Sequence, residues 1–143
     1  MKGRPITIHG DGTQKRSFMH VDDVCNAFMI LLKNREKIQP GDAFNIGTPQ
    51  EYTVLEVANM LVAIAVKKGY IDDPAAGMQY VRDRNFNDQR YLINSNKMES
   101  LGWKREFNDL NELLPTVFQW YEEHATYWDP AKVTKYIAPH PEL

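Results

Sequence analysis

The chain has 143 residues, 17 of them Lys or Arg and 19 Asp or Glu, giving a formal charge of −2 with 43% apolar and 25% charged residues. This is the balance of one globular domain, without the basic excess of a nucleic-acid-binding surface. Length excludes something too: a dinucleotide-dependent enzyme with a separate substrate domain needs far more chain, at roughly 100–200 residues per domain, so a descendant of one would be a piece of it. The single cysteine, Cys25, cannot form an intramolecular disulfide and suits a reducing compartment. No stretch approaches the ~18 consecutive apolar residues of a membrane span, and Met-Lys-Gly-Arg-Pro at the start lacks the apolar core of a signal peptide. The expectation is a cytoplasmic protein that binds neither membrane nor nucleic acid.

Ile6 and Ile8 alternate with Thr7 and His9, and Gly10-Asp11-Gly12 is a turn signal, so a strand, a turn and a second extended segment are predicted, with Lys15 and Arg16 delivered to the rim. Asp22 or Asp23 caps a predicted helix to about Asn34, with Val21, Val24, Phe28, Leu31 and Leu32 on one stripe. Ala43-Phe44-Asn45-Ile46-Gly47 reads as a short strand. Thr53 with Glu56 forms a capping box for a helix running to Lys67 or Lys68, stopped by Gly69. Residues 70–77 read as a loop, Met78 to Val81 as a strand, and Arg82 to Arg90 as a polar loop with three arginines. Asn94 or Ser95 caps a short helix to Leu101, stopped by Gly102, with Trp103 folding back behind it. Asp109 and Glu112 suggest a second capping box ahead of a long final helix, with a kink or a later start at Pro115. The segment 129–143 holds Pro130, Pro139 and Pro141 and reads as an irregular tail. Cys25 reads as a small buried hydrophobe, Met19, Met29, Met60, Met78 and Met98 as core filler. Trp103, Trp120 and Trp128, with Tyr121 and Tyr127, are expected to pack the C-terminal helix.

A self-contained catalytic centre is not written in these residues. Gly10-Asp11-Gly12 is not followed by the third glycine of a dinucleotide fingerprint, and no Tyr precedes a Lys by four positions. Gly-x-Ser-x-Gly and His-Glu-x-x-His do not occur, and His9, His20, His124 and His140 show no metal-ligand spacing with Cys25. What remains is two basic loops, Lys15-Arg16 and Arg82, Arg84, Arg90. The planar fork of arginine suits the oxygens of a diphosphate. The bland alternative is solvated ion pairing with Asp11, Asp83 and Asp88. His9 and Phe86 are candidate stacking partners for a base, or else packing residues.

The order of five blocks carries a resemblance. Residues 5–24 (Pro-Ile-Thr-Ile-His-Gly-Asp-Gly-Thr-Gln-Lys-Arg-Ser-Phe-Met-His-Val-Asp-Asp-Val), Phe-Asn-Ile-Gly at 44–47, Asp-Arg-Asn-Phe-Asn-Asp-Gln-Arg-Tyr at 83–91, Leu-Gly-Trp at 101–103 and Trp-Tyr at 120–121 resemble the C-terminal half of extended short-chain dehydrogenase/reductases. The 83–91 block favours nucleotide-sugar 4,6-dehydratases of the dTDP-glucose or UDP-glucose kind over epimerases and decarboxylases. The resemblance implies an α/β fold, the small substrate-binding part of such an enzyme, with a few short strands, about four helices and the Rossmann core missing. It implies a nucleotide-sugar-binding domain over 1–128. By position it implies that Arg16 and Arg84 grip the diphosphate of a nucleotide-diphosphate sugar, that Asn45 shares the pocket and that His9 lies beside the base. Asn87, where some relatives carry His, and Arg90 with Tyr91 complete the set. The family's NAD and its catalytic Tyr, Lys and acid residues belong to the half preceding Met1, so no catalytic residue and no cofactor are expected of this chain alone. The 43–47 strand and the 21–34 helix pack on the cofactor domain in full-length relatives, which implies self-association or a separately encoded N-terminal half as partner. The readings carried forward are a nucleotide-sugar-binding portion of a 4,6-dehydratase, a non-catalytic self-associating module, and a fragment of an epimerase or decarboxylase.

Overall fold

The alternation at the start of the chain forms β1, Ile6–His9, with Ile8 fully buried and Thr7 exposed. The structure, a computed structural model, describes residues 4–129 and Lys132; most of the predicted tail lies outside the described residues. Tyr52–Thr53 forms β3 and Met78–Val81 forms β4, while Lys15–Arg16 forms β2. β1 pairs in parallel with β4, Ile6 opposite Met78 and His9 opposite Val81. Both strands are legible in the sequence, but their pairing is not. Gly10 extends the ladder by donating its N–H to the Val81 carbonyl at 3.0 Å. Gly10 and Gly12 then turn the chain with φ of +66° and +74°, where a Cβ is disfavoured. Asp11 fixes the turn by accepting from the Thr13 N–H and hydroxyl at 2.9 and 2.7 Å. The second extended segment is β2, antiparallel to β3, with Lys15 opposite Thr53 and Arg16 opposite Tyr52.

The first long helix, α1, spans Val21–Lys33 and is capped by His20, whose Nδ1 accepts from the Asp22 N–H, instead of by Asp22 or Asp23. Asp23 is otherwise engaged: only 1% exposed, it accepts the N–H groups of Glu106 and Phe107 at 2.8 and 3.3 Å. Helix α2, Val54–Lys67, begins with the expected capping box: Glu56 accepts from the Thr53 N–H at 2.7 Å and Thr53 Oγ1 from the Glu56 N–H at 3.0 Å. A single 3-10 turn, Pro74–Gly77, occupies the end of the predicted 70–77 loop. Helix α3 is shorter than expected, Asn96–Glu99, with Asn94 accepting from the Asn96 N–H. Helix α4, Leu110–Glu123, starts ahead of Pro115 and runs through it. The carbonyl that Pro115 cannot serve belongs to Asn111, on the exposed side of the helix. Asp109 caps α4 by accepting from the Asn111 N–H at 2.9 Å, so no box with Glu112 forms.

Residues 43–47 belong to neither ladder. Phe44 and Ile46 still face inward while Ala43 and Asn45 are exposed, so the period-two pattern is kept without a neighbouring strand to pair with. They pack on Ala27, Met98 and Trp103, joined by Met19, Ile30 and Leu31. Trp103 is 1% exposed and donates Nε1–H to the Asp23 carbonyl at 3.0 Å. A second core joins Leu110, Leu113 and Leu114 of α4 to Val57, Met60, Leu61 and Ile64 of α2 and to Tyr52 and Phe107.

The predicted apolar stripe of α1 divides. Of its members Leu31 turns inward beside Ala27 and Ile30, Val24 is half-buried, and Val21, Phe28 and Leu32 are exposed; Met29 and Cys25 are exposed as well, contrary to their readings as core filler and buried hydrophobe. Helix α1 therefore presents apolar residues on two sides and buries one of them in this chain. At the end of α4, Trp120 stacks on His124 (centroids 4.5 Å apart) and meets Tyr121 and Tyr127 edge-on, with Trp128 against Tyr127; these aromatics pack on one another on the surface and not in the core.

Candidate functional site

The two basic loops meet on the β2–β3 ladder. The turn at 10–14 is seated on the start of α2, where the Val54 and Leu55 N–H groups donate to the carbonyls of Gln14 and Gly12 at 3.1 and 3.0 Å. That anchor presents Lys15 and Arg16. The 83–91 loop arrives after β4 and is stitched to the same ladder by a backbone bond from the Lys15 N–H to the Gln89 carbonyl, 2.8 Å.

Arg16 is half-buried, and its guanidinium is held from several directions. Nη1 donates to the Lys15 carbonyl at 2.7 Å and Nη2 to Asn87 Oδ1 at 3.2 Å, while Cζ lies 4.9 Å from the centre of the Tyr91 ring. Asn87 in turn donates Nδ2–H to Asp83 Oδ1 at 3.1 Å, and the same oxygen accepts the Arg84 N–H at 2.8 Å. The Tyr91 hydroxyl donates to Asp88. Arg90 closes the loop on β3 by a forked contact to Glu51, Nε to both carboxylate oxygens at 2.8 Å and Nη2 to Oε2 at 2.5 Å. The guanidinium keeps the Glu51 carboxyl below its ordinary 4.5, and Glu51 raises Arg90 in return.

The structure thus brings Arg16, Asn87, Arg90 and Tyr91 onto one platform. Arg84 is on the same loop with its side chain exposed, and among the described residues no hydrogen bond or ion pair engages its guanidinium. His9 lies at the end of β1, its Nδ1 buried and without a hydrogen-bond partner among the described residues, and its carbonyl accepts from Gln14 Nε2 at 3.4 Å. Among the described residues no hydrogen bond links Asn45 to this group; it is exposed in the segment beside the Trp103 core. Among the described residues these aspartates make hydrogen bonds and no ion pair: Asp11 serves Thr13, Asp83 serves Arg84 N–H and Asn87, and Asp88 serves Tyr91. Sequence reasoning missed Glu51, which fixes Arg90 from 39 positions away, and Gln14, buried beneath the turn. A solitary Glu ahead of a helix carries no signal of such a partner.

Much of the platform is at the surface: Arg84, Arg90 and Tyr91 are exposed, Arg16 and Asn87 half-buried. Two cavities lie away from these loops, one of about 390 Å³ between α2 and α4 lined by Met60, Ile64, Leu114 and Pro115, another of about 330 Å³ beside Trp103 and Arg105. A nicotinamide dinucleotide does not fit the glycine turn, because Gly10-Asp11-Gly12 leads into β2 and the first N–H groups of α2 are already bonded to that turn. Among the described residues no three His, Cys, Asp or Glu side chains gather as metal ligands, and no helix is long and apolar enough to cross a membrane.

Comparison with known proteins gives this geometry a setting. The NAD dependent epimerase/dehydratase family matches residues 1–47. A trifunctional UDP-glucose 4,6-dehydratase/UDP-4-keto-6-deoxy-D-glucose 3,5-epimerase/UDP-4-keto-L-rhamnose-reductase of Arabidopsis thaliana is 37% identical over 143 residues, covering all of this chain and 20% of that protein. The dTDP-D-glucose 4,6-dehydratase of Mus musculus is 35% identical over 138 residues, 96% of this chain and 37% of that one. Among solved structures, the dTDP-glucose 4,6-dehydratase of Bacillus anthracis in complex with NAD superposes with a TM-score of 0.73 at 29% identity, over 90% of this chain and 38% of that one. The enzyme DesIV of Streptomyces venezuelae, a dTDP-glucose 4,6-dehydratase with NAD and TYD bound, gives 0.70 at 29% identity, over 90% and 37%. The chain therefore spans between a fifth and two fifths of the length of these relatives. Over its length this chain is thus similar to one part of the nucleotide-sugar 4,6-dehydratases, and its first 47 residues match the NAD dependent epimerase/dehydratase family.

Proposed function

We propose that this chain is the nucleotide-sugar-binding portion of an NDP-glucose 4,6-dehydratase-like protein of the cytoplasm, and that it binds without catalysing. The observation that carries the reading is the Arg16 guanidinium, held on the platform with Arg84 uncommitted on the adjoining loop. Two fork-shaped cations on neighbouring loops suit the oxygens of a diphosphate. His9, whose buried ring Nδ1 has no hydrogen-bond partner among the described residues, suits the base end. The family reaction, NAD-dependent dehydration of dTDP- or UDP-glucose to the 4-keto-6-deoxy sugar, requires NAD and proton-transfer groups from a complementing half. This chain contributes ligand binding to it.

Calorimetric titration with UDP, dTDP and their glucose conjugates tests the reading directly. Arg16→Ala or Arg84→Ala removes a charge-assisted hydrogen bond worth about 1.5–3 kcal/mol, so affinity is expected to fall about 10- to 100-fold. Equal affinity in both variants rejects the assignment.

A second reading has its own observation, the outward apolar side of α1 with Val21, Phe28, Met29 and Leu32. An exposed contiguous stripe of this kind marks an interaction surface. Its occupant in this reading is a complementing half or another copy of the chain. Light scattering on size-exclusion fractions, with and without Phe28→Glu and Leu32→Glu, reports self-association. A monomer unaffected by either change removes the second-copy form.

A further inference from the structure

We propose that Tyr91 and Asn87 are positioning residues that hold the Arg16 guanidinium ready for an anion, and that neither touches the ligand itself. The inference rests on the reading of Arg16 as a diphosphate-binding group.

The Asn87 amide has both ends engaged: Oδ1 accepts from Arg16 Nη2 at 3.2 Å and Nδ2 donates to Asp83 at 3.1 Å. The Tyr91 hydroxyl donates to Asp88, so the face of its ring is what it offers, and the Arg16 Cζ lies 4.9 Å from the centre of that ring. Arg16 is different. A guanidinium carries five N–H donors, and the bonds to the Lys15 carbonyl and to Asn87 engage only one on each Nη. Among the described residues Nε and the remaining Nη hydrogens make no hydrogen bond, which leaves them for an incoming oxyanion. A long, rotamer-rich side chain standing on a two-residue strand is otherwise poorly ordered, and ordering it in advance reduces what binding must immobilise. The supports are themselves fixed, because the loop that carries them is bonded to Lys15 through Gln89 and clamped to Glu51 through Arg90.

The experiment has a ligand-free arm and a ligand arm, both on the full chain. In the first, ¹⁵N spectroscopy follows rotation and exchange of the Arg16 guanidinium, its signals identified by their loss in Arg16→Lys. Slow rotation is expected in the unsubstituted chain, retained in Tyr91→Phe, which keeps the ring, and lost when Asn87→Ala and Tyr91→Leu are combined. Rotation unchanged in the combined variant overturns the proposal. In the second arm, UDP affinity measured by calorimetry is expected to fall about 3- to 12-fold in the combined variant, the cost of ordering one rotamer-rich side chain at the moment of binding. Repeated in the Arg16→Ala background, the same pair is expected to change affinity less than about twofold, since residues that act through a third group lose their effect with it. An undiminished loss in that background shows direct ligand contact and also overturns the proposal. If the unsubstituted chain does not bind UDP, the diphosphate reading fails while the ligand-free arm still decides the positioning roles. Should the combined variant lose its far-UV circular dichroism, the two single variants give the same comparison.

Discussion

Replacing Asp23 by Ala tests how the two ends of the chain are joined. Its carboxylate sits in the first turn of α1, 1% exposed, and accepts the N–H groups of Glu106 at 2.8 Å and Phe107 at 3.3 Å. Alanine leaves both donors without that acceptor. A hydrogen bond to a charged acceptor is worth about 1.5–3 kcal/mol; both of these are only part-buried and one is long, so each belongs near the lower end and the loss is roughly 2–4 kcal/mol. For a chain of this size about 3–4 °C accompany each kcal/mol, which gives a fall in Tm of roughly 6–16 °C. Asp23→Asn keeps one carbonyl oxygen but turns an amide N–H toward a donor, so it is expected to lie between the two. Urea unfolding followed by circular dichroism supplies the free energies. A loss below about 0.5 kcal/mol for Ala, or an Asn variant as stable as the original, refutes the view that this carboxylate ties the 103–107 loop to α1.

Three further outcomes follow from local geometry. Gly10→Ala forces a side chain into φ +66° with its Cβ 2.9 Å from the Asp83 carboxyl; a left-handed non-glycine residue costs about 1–2 kcal/mol, so both Tm and UDP affinity are expected to fall, and an unchanged Tm contradicts the turn as described. Acid should destabilise the fold: the Thr53 N–H holds Glu56, Arg90 holds Glu51 and Lys68 holds Glu122 below their ordinary 4.5. Lowered carboxylates stabilise fully above the unfolded value and lose that contribution as pH drops through the folded values, so the urea midpoint should decline from about pH 5 to about pH 3, and a flat profile argues against these contacts. The exposed Cys25 thiol should react with an aromatic disulfide reagent without denaturant. Protection of that thiol in the folded chain shows the outer side of α1 to be covered.

Local chemistry was legible where a signal and its partner sit within a few residues. Thr53 and Glu56 announce the start of α2, Gly69 its end, and the Ile6/Ile8 alternation β1. What the sequence withheld were partners distant along the chain. The parallel match of Ile6 with Met78 has no local signature, and neither has the choice of Asp23 to serve Glu106 and Phe107, which removed it from the capping position and left that to His20. Residues 43–47 carry the pattern of a strand, but a pattern names only which face is buried; pairing needs a neighbour, and neither ladder supplies one. The outward Cys25 and Phe28 mislead for a related reason, since an apolar periodicity says that a helix has something to pack against without saying that it lies in the same chain. At the site, Arg16 and the 83–91 loop were foreseen as a pair of basic segments, whereas the division of labour among Asn87, Tyr91, Arg90 and Glu51 emerged only from their contacts.

The β1–β4 pairing sets a schedule for synthesis on the ribosome. A nascent chain that has emerged only as far as the end of α2 holds the first basic loop but lacks β4, the strand that must lie beside β1, and it lacks Asn87 and Tyr91 as well. At about 5–20 residues per second, β1 waits seconds for its mate while both helices are already able to form. Assembly of the anion platform is thereby deferred until the 83–91 loop has cleared the exit tunnel, and a translational pause before Met78 would lengthen the time for which an orphan strand is exposed to chaperones or to other nascent chains.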